Sequence, residues 1–216
     1  MNLLDLYNIL LDSYGYQNWW PVDIDYHKTH NTDPKDEIII GAILTQNTNW
    51  KNVEKALENL KNYKLLSLKA IKHVDIELLK ELIRPSGFFQ RKANILKDIS
   101  NISNIDIEPT RGTLLNIKGI GKETADSILL YAYNKPYFVI DMYTKRIIKR
   151  LFGLTFKEYD EYADFITSNI PKDIGIYKEY HALIVEHAKR HCRKTPNCDE
   201  CILKDECLNK NVIFSV

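Results

Sequence analysis

Four cysteines stand close together near the end of this chain, and the rest of the sequence contains none. They form the pattern C-x5-C-x2-C-x5-C at Cys192, Cys198, Cys201 and Cys207. Cysteines concentrated in this way indicate one local site and not a disulfide framework spread over a secreted domain. Cys198 and Cys201 are separated by two residues, and a gap of five residues lies on each side of this pair. This spacing favours a cubane of four irons, each held by one thiolate. Structural zinc is the alternative, because four thiolates also satisfy a tetrahedral ion.

A second motif, GIGKETAD, contains Gly119 and Gly121 between two runs of apolar residues at helical spacing. The pattern predicts two short helices joined by a tight turn. Glycine adopts the positive φ values of such a turn and lets a phosphate approach the amides of the following helix. Lys118 and Lys122 flank the turn and could hold a nucleic-acid backbone without reading its sequence. Taken alone, the motif is equally typical of an ordinary corner between two helices.

A single aspartate, Asp141, follows the apolar run Phe-Val-Ile at the predicted start of a helix. An aspartate at such a position is most often only an N-cap.

Tryptophans form the third group of candidate residues. Trp19, Trp20 and Pro21 are consecutive, and the stretch AILTQNTNW ends in Trp50. Aromatic faces can stack on a base, but adjacent tryptophans are more often partly buried packing residues.

The elements that must position these residues are helical. Apolar residues recur at helical spacing along nearly all of the 216 residues, and glycines and prolines divide them into roughly ten short helices. The sequence therefore predicts an all-α fold. A net charge of +1 excludes a global positive field, so any phosphate contact must be local. No stretch reaches the ~20 apolar residues of a membrane span and no basic leader is present, so we expect a cytoplasmic, nucleoid-associated protein.

Three features occur here in succession: the predicted hairpin, a segment rich in Gly and Pro, and Asp141. Together they resemble the helix-hairpin-helix (HhH-GPD) DNA glycosylases. These enzymes flip a damaged base out of the duplex and break its glycosidic bond. The stretches WWP, AILTQNT, RPSGFFQRKANIL and I-D-x-Y resemble more closely the endonuclease III-related branch that includes 3-methyladenine DNA glycosylase III. The similarity covers most of the chain.

The resemblance implies roles for individual residues. Asp141 would be catalytic, because a carboxylate can stabilise an oxocarbenium-like sugar or activate the water that attacks it. Trp50, the WWP segment and Glu123 would line the pocket for a methylated base. Gln46 would fill the gap left by the flipped base, and Phe88 would wedge the opposite strand, unless Phe88 is a core residue.

The endonuclease III branch also carries a C-terminal four-iron four-sulfur (4Fe-4S) cluster, with a first gap usually one residue longer than here. The family uses a basic loop around the cysteines against DNA, and Arg190, Arg193, Lys194 and Lys204 would belong to that loop. His187 and His191 are expected on the helix surface, because four thiolates already complete the site.

Glu123 occupies the position at which bifunctional members have a lysine that forms a Schiff base with the sugar. A carboxylate cannot do this, and Lys122 diverges from position 123 by about 100° on a helix. The sequence therefore predicts a monofunctional glycosylase that uses water. Glu123 could equally be a favourable anion in the first turn of its helix.

These observations predict two helical domains with a helix-hairpin-helix motif and a C-terminal iron-sulfur loop. Residues 36–137 would form a helical barrel, residues 1–35 and 138–216 the cluster domain, and the cleft between them would hold the base. The predicted activity is excision of cationic alkylated purines such as 3-methyladenine from double-stranded DNA by a monomer. Alternatives are a glycosylase for oxidised pyrimidines or mismatched bases, and a non-catalytic DNA-binding module.

Overall fold

The computed structural model describes residues 1–102 and 108–208. Within these ranges the chain forms twelve α-helices and one 3-10 turn, and no strand is found there. The predicted all-α class is confirmed. The twelve α-helices of the described residues are more than the roughly ten that the glycine and proline positions predicted.

The chain divides into two compact units, residues 20–135 and residues 1–19 with those from 136 onward. The sequence prediction drew the first boundary after residue 35. In the structure α2 (Ile24–His30) belongs with α3 (Pro34–Leu44), because His27 Nε2 lies 3.1 Å from a carboxylate oxygen of Glu37. Lys61 also reaches Glu37, at 3.4 Å.

The unit of residues 20–135 contains eight of the described helices and the 3-10 turn. They are α2 (Ile24–His30), α3 (Pro34–Leu44), α4 (Trp50–Asn62), α5 (Leu68–His73), α6 (Ile76–Leu82), the 3-10 turn Arg84–Ser86, α7 (Phe89–Ile102), α8 (Arg111–Leu115) and α9 (Lys122–Tyr131).

The α3 helix is the centre of this unit. Asp33 caps its start by accepting a hydrogen bond from Lys35 N, and Pro34 occupies a position where no amide hydrogen is needed. Every residue from Glu37 to Leu44 is buried, because the helix packs against α4, α7 and α9. An all-round apolar helix is typical of such a central position.

The other unit contains α1 (Leu3–Tyr14), α10 (Met142–Phe152), α11 (Tyr159–Thr167) and α12 (Ile174–Arg190). Both α1 and α10 pack against α12. The buried Tyr180 hydroxyl donates a 2.8 Å hydrogen bond to the Leu3 carbonyl and so fixes α1 on α12. Among the described residues, no helix is both long and apolar enough to cross a membrane.

Candidate functional site

Asp141 is the N-cap of α10, and only 9% of its surface is exposed. Its Oδ1 accepts a 2.7 Å hydrogen bond from Thr144 N, while Oδ2 lies 3.5 Å from His181 Nε2. Burial raises the pKa of the Asp141 carboxyl, but the imidazole and the Thr144 hydrogen bonds outweigh burial and hold that pKa below its usual value. The carboxylate is therefore ionised at neutral pH.

His181 is a candidate functional residue that the sequence analysis missed. It is buried on α12 and lies edge-on to Trp19, with ring centroids 5.8 Å apart. Forty positions separate it from Asp141 in the sequence, and its only sequence signal is a polar residue in the run YHALIV. The packing of α10 on α12 brings the two side chains together.

The α12 helix also holds the segment that carries Trp19. The Glu179 carboxylate accepts hydrogen bonds from the amides of Gln17 and Asn18, the second at 3.4 Å. Lys189 lies over the Trp19 ring at 5.7 Å from its centroid.

Trp20 packs on different partners from its neighbour Trp19. Its ring lies edge-on to Trp50, with centroids 5.5 Å apart, and edge-on to Tyr131 at 5.3 Å. Gly41 of α3 allows the close approach of Trp20, because a Cβ there would stand 3.0 Å from the indole nitrogen. The structure thus brings Trp20 and Trp50 into one half-buried aromatic cluster, to which Tyr131 is an unpredicted addition, and leaves Pro21 exposed.

The glycine motif forms the predicted turn between α8 and α9. Gly119 has a φ of 105°, and a Cβ there would stand 2.7 Å from the Ile95 side chain, so only glycine fits. Gly121 is the N-cap of α9 and faces open space. Lys118 is exposed and Lys122 half-buried. The amides at the start of α9 are thus accessible to an anion.

Two further predicted DNA-contacting residues lie in the same unit. The Gln46 amide donates hydrogen bonds to Gly119 O at 3.2 Å and to Thr124 Oγ1 at 3.0 Å, so its side chain is tied to the hairpin. Phe88 is 67% exposed and has a positive φ of 46°, which excludes the alternative that it is a core residue. Glu123 is exposed in the first turn of α9.

The four cysteines are free thiols that line one pocket. Burial raises the pKa of the Cys201 thiol, and the other three cysteines push it in the same direction. The Arg150 guanidinium donates to Cys192 Sγ at 3.2 Å. No group of three His, Cys, Asp or Glu side chains in the described ranges is placed to hold a single metal ion.

His187 differs from the surface histidine that was expected. Only 2% of its surface is exposed, its Nδ1 lies 2.9 Å from the Tyr14 hydroxyl and its Nε2 lies 3.7 Å from Cys201 Sγ. Burial lowers the pKa of this imidazole to about 4. The expectation was wrong because α12 is covered by α1 on this side.

The family model described as "HhH-GPD superfamily base excision DNA repair protein" matches residues 40–172, more than half of the chain. The chain belongs to this superfamily. A protein of Methanocaldococcus jannaschii named as a candidate DNA repair glycosylase is 50% identical to this HhH-GPD protein over 219 residues, which cover 95% of each chain. A thymine/uracil-DNA glycosylase of Pyrobaculum aerophilum is 27% identical, covering 87% of this chain and 84% of its own.

Among solved structures, the 3-methyladenine DNA glycosylase MagIII of Helicobacter pylori, bound to 1,N6-ethenoadenine, superposes on this HhH-GPD protein with a TM-score of 0.72. The two are 31% identical, and the match covers 88% of this chain and 98% of MagIII. The predicted resemblance to the endonuclease III-related branch is confirmed.

Proposed function

We propose that this HhH-GPD protein is a monofunctional DNA glycosylase that hydrolyses the N-glycosidic bond of cationic alkylated purines such as 3-methyladenine. The observation that carries the proposal is the buried, ionised carboxylate of Asp141, which faces His181 through Oδ2. A fixed negative charge stabilises an oxocarbenium-like sugar as the bond breaks, and it can accept a proton from the attacking water.

The choice of base rests on the aromatic cluster of Trp20, Trp50 and Tyr131 and on the similarity to MagIII. Alkylation at N3 makes adenine cationic, and a cation over an indole face gains about 0.5–2 kcal/mol that a neutral base does not. The positive charge also makes the base a good leaving group, so the reaction needs no strong general acid. Trp19 belongs to the neighbourhood of His181, where we propose that it helps to exclude water.

The absence of lyase activity is proposed from Glu123. In the resembling bifunctional enzymes a lysine at this position attacks the sugar, and a carboxylate cannot form that imine. Water is then the nucleophile, and the product is an abasic site in an intact strand.

The cysteine pocket fits a 4Fe-4S cluster, with zinc as the alternative. Burial and the neighbouring cysteines raise the pKa values of the Cys198 and Cys201 thiols, so a strongly cationic centre would favour their deprotonation, and the Arg150 N–H groups would offset part of the remaining charge. Cys192, Cys198, Cys201 and Cys207 would each hold one iron. The bound cluster would cross-link residues 192–207, and bond cleavage would not involve it.

Double-stranded DNA is the proposed partner. The hairpin at Gly119 and Gly121 would bind a phosphate through the α9 amides, with charge from Lys118 and Lys122. Gln46 would fill the gap that the flipped base leaves in the duplex. Phe88 would wedge into the opposite strand.

A second candidate function is excision of uracil or thymine from mismatches. It is favoured by the likeness to the thymine/uracil-DNA glycosylase of Pyrobaculum aerophilum, which extends over most of both chains. Neutral pyrimidines would stack on the same aromatic cluster but would lack the cationic attraction.

Single-turnover reaction with methylated duplex DNA tests the proposal, with the released bases identified by mass spectrometry. We expect 3-methyladenine release by the wild type and none by Asp141→Asn, which should bind the same DNA as tightly as the wild type. Release by Asp141→Asn at the wild-type rate would remove Asp141 from the chemistry. If neither protein releases any base from methylated, mismatched or thymine glycol-containing DNA, the result favours the non-catalytic alternative.

A further inference from the structure

Lys92 is a buried lysine that the proposed mechanism does not use, and only 1% of its surface is exposed. Its Nζ donates a 2.8 Å hydrogen bond to the Leu44 carbonyl and a 2.7 Å hydrogen bond to the Ser86 carbonyl. We propose that Lys92 is a positioning residue that locks the two segments carrying Gln46 and Phe88 into one fixed arrangement for base flipping. This inference rests on the proposed function, since it concerns how that activity prepares the base.

Both acceptors are the last carbonyls of helical elements. Leu44 ends α3, and Ser86 ends the 3-10 turn Arg84–Ser86. Terminal carbonyls have no amide partner within their own helix and carry the negative end of the helix dipole. One ammonium group therefore caps two C-termini and joins them.

The chain continues from each capped carbonyl directly into a predicted DNA-contacting residue. Gln46 is two residues past Leu44, and Phe88 is two residues past Ser86. Phe88 stands exposed with a positive φ of 46°, and the preceding Gly87 also has a positive φ. A shift of either helix end would move the residue that follows it, because only one residue lies between them.

The helix that carries Lys92 also supports the hairpin. Gly119 lies so close to α7 that a Cβ would stand 2.7 Å from Ile95 Cδ1 and 3.2 Å from Arg91 Nε. The Gln46 side chain donates to the Gly119 carbonyl. The α7 helix thus fixes all three predicted DNA-contacting parts of this unit relative to one another, with Lys92 holding two of them.

Core packing alone does not require a lysine at this place. A methionine has nearly the same length and would fill the volume without burying a charge opposite two neutral carbonyls. Burial lowers the pKa of Lys92 to about 8, which reflects that cost. Methionine would leave the Leu44 and Ser86 carbonyls without this donor and would remove the connection between the two helix ends.

Lys97 offers a matched control on the same helix. Its Nζ donates to the carbonyls of Lys72 and Val74 and so caps α5 in the same manner. Neither α5 nor the residues that directly follow it, Val74 and Asp75, carry a predicted DNA contact. Lys97→Met therefore removes a comparable interaction without affecting Gln46 or Phe88.

The experiment measures base flipping directly, by the fluorescence of 2-aminopurine placed in a duplex and titrated with wild type, Lys92→Met and Lys97→Met. We expect Lys92→Met to reduce the fluorescence increase at saturating protein at least fivefold with little change in DNA affinity, and Lys97→Met to behave as the wild type. Equal behaviour of the two variants overturns the inference. If Lys92→Met does not fold, Lys92→Gln, whose side chain is one atom shorter and carries a neutral amide in place of the ammonium group, is measured with the same two outcomes.

The readout also separates this inference from the proposed function. A wild type that flips 2-aminopurine but releases no base refutes the glycosylase activity and leaves the role of Lys92 open to the same comparison. A wild type that releases bases, with Lys92→Met flipping normally, refutes only the role of Lys92.

Discussion

The two oxygens of Asp141 have different partners, and this distinguishes it from a residue that only caps a helix. Oδ1 accepts from Thr144 N, as in any N-cap, whereas Oδ2 faces His181 across 3.5 Å. A cap needs one acceptor, so the second oxygen is available for chemistry. The imidazole of His181 lowers the pKa of the carboxyl to which that oxygen belongs.

Replacing His181 by leucine should lower base release on the order of tenfold, because it removes the imidazole 3.5 Å from Asp141 Oδ2, and a polar contact to a charged group contributes about 1.5 kcal/mol. The pKa of Asp141 is lowered in the folded protein, so the active carboxylate persists at acid pH and is lost as the pH falls through that pKa. Without the imidazole, one of the contributions that lower the pKa of Asp141 is lost, so that pKa rises. The acid limb of the pH–rate profile should therefore move to higher pH.

His181→Gln should restore most of the rate, since its amide can still donate to Oδ2. His73→Leu, at an exposed position in α5, serves as the control. An acid limb that stays in place in His181→Leu would show that the imidazole does not act on Asp141.

Trp50 should contribute through its aromatic face. Trp50→Leu should lower 3-methyladenine release about tenfold, corresponding to about 1.4 kcal/mol of lost transition-state contact. Trp50→Phe should be much milder, because it keeps a ring against Trp20. Single-turnover rates measure both variants, and equal losses in the two would remove the aromatic argument.

At the scale of elements, we propose that the first turn of α9, through Glu123, decides between hydrolysis and lyase chemistry. Because Glu123 is a carboxylate, borohydride should trap no covalent complex with DNA, and the product strand should stay intact until it is treated with alkali. Denaturing gels measure both results, with Glu123→Gln as a control that should behave as the wild type. A trapped complex would mean that another lysine attacks the sugar.

The loop of residues 192–207 should hold the cluster. The purified protein should be brown and contain about four irons per chain, and Cys198→Ser should lose most of them and bind DNA weakly. Asp199→Ser changes the next residue but keeps all four thiols, so its iron content should be unchanged. Colourless protein with one zinc per chain would establish the alternative site.

Local signals in the sequence explain some of the observed helix boundaries. Asp33 and Pro34 begin α3, and Gly153 ends α10 with a φ of 68°, as cap preferences indicate. The burial of α12 could not be predicted in this way, because both α1 and α10 cover it and its apolar stripe is correspondingly wide. For that reason His187 was expected on the surface and His181 was missed.

Candidate residues with a local motif were named from the sequence, and those defined by tertiary packing were not. The turn at Gly119 follows from its neighbours in the chain. Tyr131 joins the cluster of Trp20 and Trp50 only through the packing of α3 on α9, and Lys92 reaches Leu44 across 48 positions. The apolar periodicity of a single helix does not predict which residues of other helices it will contact.

At the scale of the whole molecule, a net charge of +1 means that DNA binding must depend on local groups. The boundary between the two units also depends on individual contacts. The buried pair His27 and Glu37 holds α2 to the unit of residues 20–135, and no change of composition at residue 20 indicates that boundary in the sequence.

The most direct test of the central claim is a competition between lesions in a single reaction. One mixture would contain equal amounts of duplexes carrying 3-methyladenine, uracil opposite guanine, thymine opposite guanine and thymine glycol, and release of each base would be followed under single-turnover conditions. We predict that 3-methyladenine is released at least tenfold faster than any neutral base, because only a cationic base gains both the aromatic attraction and the activated bond. Faster release of uracil or thymine, with 3-methyladenine untouched, would contradict the account.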